Sequence, residues 1–179
     1  MDEVPQSSHE RAREDDQVVP RSPVTARPSA APRPTVRAAA LIIAHAGLLL
    51  VRQRRLDRDY WLLPGGGVHF GESLTAALRR ELREELRLEI EPGRPVALAE
   101  AISDDMAAYP KHVLHVILEA TIRDDAARPR LGGDAAVLEA RFFARDELAA
   151  LAVTPPITPF LETCFEAVPP QMRYLGVVW

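Results

Sequence analysis

Gly65-Gly66-Gly67-Val68-His69-Phe70-Gly71-Glu72-Ser73-Leu74-Thr75-Ala76-Ala77-Leu78-Arg79-Arg80-Glu81-Leu82-Arg83-Glu84-Glu85-Leu86-Arg87-Leu88-Glu89 opens on a glycine-rich turn. It continues into a segment with no Gly, no Pro and almost no β-branched residue, which predicts a helix over its second half. Ser73 stands where a cap is needed. At about 100° per residue, Leu74, Leu78, Leu82 and Leu86 form a buried stripe, and Arg79, Arg83 and Arg87 a basic sector that reads as solvated, with Arg80 to one side. Glu81, Glu84 and Glu85 fall within an arc of roughly 100° at the other border of the stripe.

Like charges so placed repel by a few tenths of a kcal/mol per pair, so a cation is expected to offset them. Hard divalent ions such as Mg²⁺ take oxygen ligands and keep positions for water and phosphate. The competing reading is a solvated, salt-bridged face in which Arg80 pairs with Glu84 at i, i+4. Glu81 gets no such partner, since the residue four places on is Glu85.

The preceding turn favours the metal. Gly66, five residues, Glu72, seven residues, then Arg80-Glu81-Leu82-x-Glu84-Glu85-x-x-Leu88 resembles the Nudix box, G-x5-E-x7-R-E-U-x-E-E-x-G-U, where U is a bulky aliphatic. Arg87 stands at the family's last Gly, so the resemblance does not fix the helix end, and His69 stands where many relatives carry Glu. The resemblance implies an α+β fold, a Nudix-type α/β/α sandwich with a mixed sheet and a central catalytic helix. It also implies metal-dependent hydrolysis of a diphosphate linkage in a nucleoside diphosphate derivative. Glu81, Glu84 and Glu85 would be the ligands of Mg²⁺ or Mn²⁺, with Glu81 or Glu85 also able to act as base. Arg80 would hold the glutamates, Gly66 and Gly67 would bring the backbone close to the helix and the substrate, and Glu72 would serve a structural or a catalytic role. A further carboxylate from Glu100, Asp134 or Glu139 is expected by the same analogy. A non-catalytic nucleotide-binding regulator and an RNA-end pyrophosphohydrolase are the alternative classes.

The 179 residues are 47% hydrophobic and 27% charged, enough for one domain with a sizeable core. A net charge of −4 implies no general affinity for nucleic acid. An acidic protein acting on phosphates needs local positive charge or a metal. Cys164 is the single cysteine, so neither an internal disulfide nor a cysteine zinc site is available, and its helical apolar setting places it in the core. No apolar run reaches the roughly 20 residues of a membrane span, and the acidic N-terminus lacks a signal core, which reads as cytoplasmic. The expected partner is a small-molecule substrate, with a homodimer kept open.

Residues 1–35, rich in Pro, Ser, Arg and acids, read as a disordered N-terminal tail, and 36–179 as the Nudix domain. A docking or RNA-contacting arm carrying Arg21, Arg27, Arg33 and Arg37 is the alternative for the tail. Val36 to Ala44 and Leu48 to Arg52 predict a hairpin, and Arg54 to Asp59 a polar loop. Trp61 either stacks on a nucleobase or packs in the core. Glu91-Pro92-Gly93 predicts a turn and Val96 to Ser103 a strand. A long alternating strand follows over His112 to Ile122, with His112 and His115 as strand residues that could line a pocket, and then a strand over Val137 to Phe143. Asp146 to Leu151 predicts a short helix. Thr158 predicts the cap of a last helix, and Arg173 to Trp179 either an edge strand or a cover for the core. Substrate identity is expected to lie in the loops around 54–61 and 103–112.

Overall fold

The run Val36 to Leu41 carries one charge, Arg37, and from Ala38 onward is apolar on both sides because both sides are covered. In the computed structural model, which describes residues 33–44, 47–55, 58–103, 110–133, 135–166 and 171–178, this run is strand β1 (Thr35–Leu41). Ala38 and Ala40 pack with the leucines of the long helix, while Ala39 and Leu41 pack with Phe160, Leu161 and Cys164 on the other face. Period-two alternation thus makes one strand serve two cores.

The remaining strands are β2 (Ile43–Ala44), β3 (Gly47–Arg55), β4 (Arg58–Leu62), β5 (Gly65–Gly67), β6 (Ile90–Ile102), β7 (His112–Ile122), β8 (Val137–Phe143) and β9 (Arg173–Val177). A mixed five-stranded sheet runs β5-β1-β7-β6-β9, with β1 parallel to β7 and β6 parallel to β9. In the second sheet β3 pairs with β2, β4 and β8, all antiparallel. Helix α1 (Leu74–Leu86) lies against β5, β1 and β6, and a 3₁₀ segment (Arg145–Ala150) and helix α2 (Thr158–Thr163) close the other face. The expected α+β sandwich is the observed one. Among the described residues no helix is long and apolar enough to cross a membrane.

α1 forms as its composition dictates. The Ser73 hydroxyl accepts the Ala76 N–H at 3.1 Å, and Leu78, Leu82 and Leu86 are fully buried, each contributing about 1.5–3 kcal/mol. The helix ends at Arg87, which adopts φ 55° and ψ 32° in the left-handed region. A non-glycine residue therefore performs the turn that glycine performs most easily. Its guanidinium donates to the Gly132 carbonyl at 2.5 Å.

Local expectations give way where tertiary pairing overrides composition. Arg54 and Asp59 are strand residues paired across a hairpin, not a loop. Gly65–Gly67 is a short strand rather than a free turn, because β1 supplies its partners. β6 begins at Ile90 and absorbs Pro92 and Pro95 through register shifts, the irregularities at which proline is tolerated. Residue 157, not Thr158, holds the N-cap position of α2, with no side-chain cap bond. The tail over 1–35 falls almost entirely outside the described residues, as do His45 and Asp134.

Candidate active site

The glycine strand and the acidic edge of α1 are fitted to each other. A Cβ on Gly66 would collide with the Glu81 carboxylate, so that side chain can lie over the strand only because position 66 is glycine. The adjacent Gly65 N–H donates to Glu85 Oε2 at 3.1 Å. Glu85 is only 4% exposed and so is no part of a solvated, salt-bridged face. A buried carboxylate needs donors and a cation. The Arg37 guanidinium supplies the charge from β1: burial lowers its pKa, while Glu85 first and Glu81 second raise it.

Arg80 is the hub of the outer layer and is not part of the solvated basic sector. Its Nε and Nη2 grip both oxygens of Glu72 at 3.0 and 2.9 Å, and Nη2 also donates to the Gly67 carbonyl at 2.9 Å. Nη1 donates to Glu81 Oε1 at 2.7 Å and reaches Glu84 Oε2 at 3.5 Å. Glu81 therefore has a partner that the i, i+4 rule did not offer. The Glu72 carboxyl is held down to about 2 by the Arg80 hydrogen bonds and then by the His69 N–H.

A divalent cation fits this set by donor chemistry, since carboxylate oxygens are the hard ligands it takes. Among the described residues no three His, Cys, Asp or Glu side chains already stand together as a metal cluster. Arg80 bridges Glu81 and Glu84 instead, and Glu84, its side chain 61% exposed, is the carboxylate with most room to turn. Of the later candidates, Glu139 is bound to Arg52 at 3.0 Å, Glu100 lies 4.0 Å from His112, and Asp134 is outside the described residues.

A cleft of about 660 Å³ is lined by Arg37, Arg58, Tyr60, Lys111, His115 and Thr154 among others. Arg37 belongs to both the cleft and the carboxylate edge. Sequence reasoning set Arg37 with the tail, although it is the lone charge inside the apolar run of β1. Tyr60, not Trp61, lines the cleft. The Trp61 ring packs edge-on against Phe143 at 4.6 Å between centroids, which favours core packing over stacking on a nucleobase. His115 does line the cleft, its pKa pushed down to about 4 by burial and then by Arg37 and Lys111.

The fold is shared with solved Nudix structures. A Nudix hydrolase from Nitrosomonas europaea superposes with TM-score 0.62 at 20% identity, over 82% of this chain and 80% of that one. An ADP-ribose pyrophosphatase from Streptococcus suis superposes with TM-score 0.58 at 21% identity, over 79% and 99%. The family model for the NUDIX domain matches residues 33–164, and the chain belongs to the Nudix family.

Among curated relatives, an RNA pyrophosphohydrolase of Ruthia magnifica subsp. Calyptogena magnifica is 43% identical over 51 residues, 28% of each chain. The nucleoside triphosphatase NudI of an Enterobacter species is 43% identical over 67 residues, 34% of this chain and 48% of that protein. The chain thus spans between 28% and 48% of these two relatives' lengths.

Proposed function

We propose that the chain hydrolyses a diphosphate linkage in a nucleoside diphosphate derivative, of nucleotide or nucleotide-sugar type, with Mg²⁺ or Mn²⁺ held by Glu81, Glu84 and Glu85. The observation that carries this reading is the acidic edge of α1, with Glu81 laid over Gly66 and Glu85 bonded to the Gly65 N–H. When bound, the cation neutralises phosphoryl oxygens and acidifies water.

Water attacks one phosphorus, the bridging P–O bond breaks, and two phosphorylated fragments leave. The proton lost by water goes to Glu81 or Glu85. Arg80 is a positioning residue that fixes the orientation of Glu81 through its 2.7 Å bond. Arg37 holds positive charge between Glu85 and the cleft, where the transferred group lies.

The test is turnover of a broad panel of nucleoside diphosphate derivatives with Mg²⁺, products identified by mass, wild type beside Glu85→Gln. Cleavage at the diphosphate by the wild type alone supports the reading, and a panel left intact contradicts it. A second reading, action on RNA ends, draws support from the name of the Ruthia relative. It is distinguished by salt-dependent RNA binding measured with and without residues 1–35.

A further inference from the structure

The C-terminal end of α1 is fastened from outside the helix. Arg87 adopts the left-handed conformation, which is unfavourable for a residue with a Cβ and persists only where the surroundings impose it. Part of what imposes it is the segment that precedes β8. The Arg130 N–H donates to the Leu86 carbonyl at 2.9 Å, and the Gly132 N–H to the Glu85 carbonyl at 2.8 Å. These carbonyls belong to the last turn, where the helix itself offers no donor. The segment passes so close that a Cβ on Gly132 would overlap the Glu84 carbonyl. Arg87 then reaches back over it, Nη2 donating to the Gly132 carbonyl at 2.5 Å. Gly132 is thus held through both its N–H and its carbonyl, and hydrogen bonds close a ring through Glu85, Leu86, Arg87 and Gly132.

The turn so fastened carries Glu84 and Glu85. Glu81, one turn earlier, is bonded to Arg80 at 2.7 Å, whereas Glu84 lies 3.5 Å from the same guanidinium. Helix ends fray, and fraying of the turn from Glu84 to Arg87 would shift two of the three carboxylates relative to the third. On the hydrolase reading above, we propose that Arg87 is a positioning residue for the divalent cation: by latching Gly132 across the last turn of α1, it keeps Glu84 and Glu85 in register with Glu81. It acts through the backbone of that turn, not by contact with the ion. A small hard cation tolerates little departure from octahedral geometry, so a loosened turn shows first as weakened metal binding.

The test is Mn²⁺ binding to the full chain, followed by the paramagnetic resonance of the free ion, with thermal unfolding recorded in the absence of metal. Arg87→Gly keeps the left-handed turn without strain and removes the latch. Its Mn²⁺ dissociation constant is expected to rise by about tenfold, the lower end of what supports behind metal ligands contribute. Its melting temperature without metal is expected to stay near that of the wild type, because relief of the strained turn offsets the lost hydrogen bond. Arg87→Lys, whose ammonium reaches a single carbonyl as well as a guanidinium does, is expected to bind Mn²⁺ nearly as the wild type does. Equal affinity in wild type and Arg87→Gly overturns the inference and leaves the hydrolase reading standing, and so does a loss in Arg87→Lys as large as that in Arg87→Gly. Mn²⁺ binding that is absent from the wild type, or unchanged in Glu85→Gln, overturns the metal site on α1 and this inference with it.

Discussion

Glu85 shows most clearly how this site is built. A carboxylate 4% exposed survives only with donors in place, and the Gly65 N–H is one of them. Glu85→Gln keeps an acceptor there and removes the charge. Turnover is expected to fall by roughly 10²- to 10⁴-fold, and the melting temperature should fall as well, because the buried Arg37 guanidinium loses its first counter-charge. Glu85→Leu instead orphans the Gly65 N–H, and its melting temperature should drop by an amount corresponding to about 1–3 kcal/mol. Gly66→Ala separates position from fold. The added methyl meets only the far end of the Glu81 side chain, so stability changes little, yet a displacement of the order of 1 Å costs about 100-fold in kcat. Normal turnover in Gly66→Ala would show that the seat of Glu81 is unimportant. The spacing of Glu81, Glu84 and Glu85 was legible because helical geometry is local. Arg37 was not, since only pairing of β1 with β5 and β7 carries it to the carboxylates.

α1 is the element whose sequence and structure agree most closely, from the Ser73 cap to the buried leucines. Its C-terminal turn depends on a neighbour that no helical rule supplies. Gly132 donates its N–H to the Glu85 carbonyl at 2.8 Å, and a Cβ at that position would overlap the Glu84 carbonyl. The obstacle is backbone and cannot swing aside. Gly132→Ala should therefore cost about 1–3 kcal/mol or more, read as a lowered denaturation midpoint, and should disturb Glu84 and Glu85 together. An unchanged midpoint would mean that the 127–133 segment does not brace the helix. The hairpin of β3 and β4 was hidden for the converse reason. A charged stretch from Arg54 to Asp59 looks like a loop until the Arg54–Asp59 and Arg52–Asp59 pairs are seen to cross the strands.

For the domain as a whole, acid sensitivity follows from His115. Burial, Arg37 and Lys111 depress its pKa to about 4 from an ordinary 6.5. Between those values the unfolded chain binds a proton that the folded chain refuses, so stability rises with pH across the window and is lost as pH falls through it. His115→Gln should flatten the stability profile between pH 6.5 and 4, measured by chemical denaturation. A slope identical to wild type would place the sensitivity elsewhere. The sandwich itself was legible through strand alternation and the box spacing. The cleft was legible only as two loop regions, 54–61 and 103–112, because its walls come from strands far apart in the chain.

The most direct test is diphosphate cleavage as a function of Mg²⁺ concentration, compared between wild type and Glu85→Gln at equal folded concentration. Saturable, chelator-reversible cleavage by the wild type with near-complete loss in the variant is the expected result. Cleavage that proceeds equally without divalent cation, or that the variant retains in full, contradicts the role assigned to the acidic edge of α1.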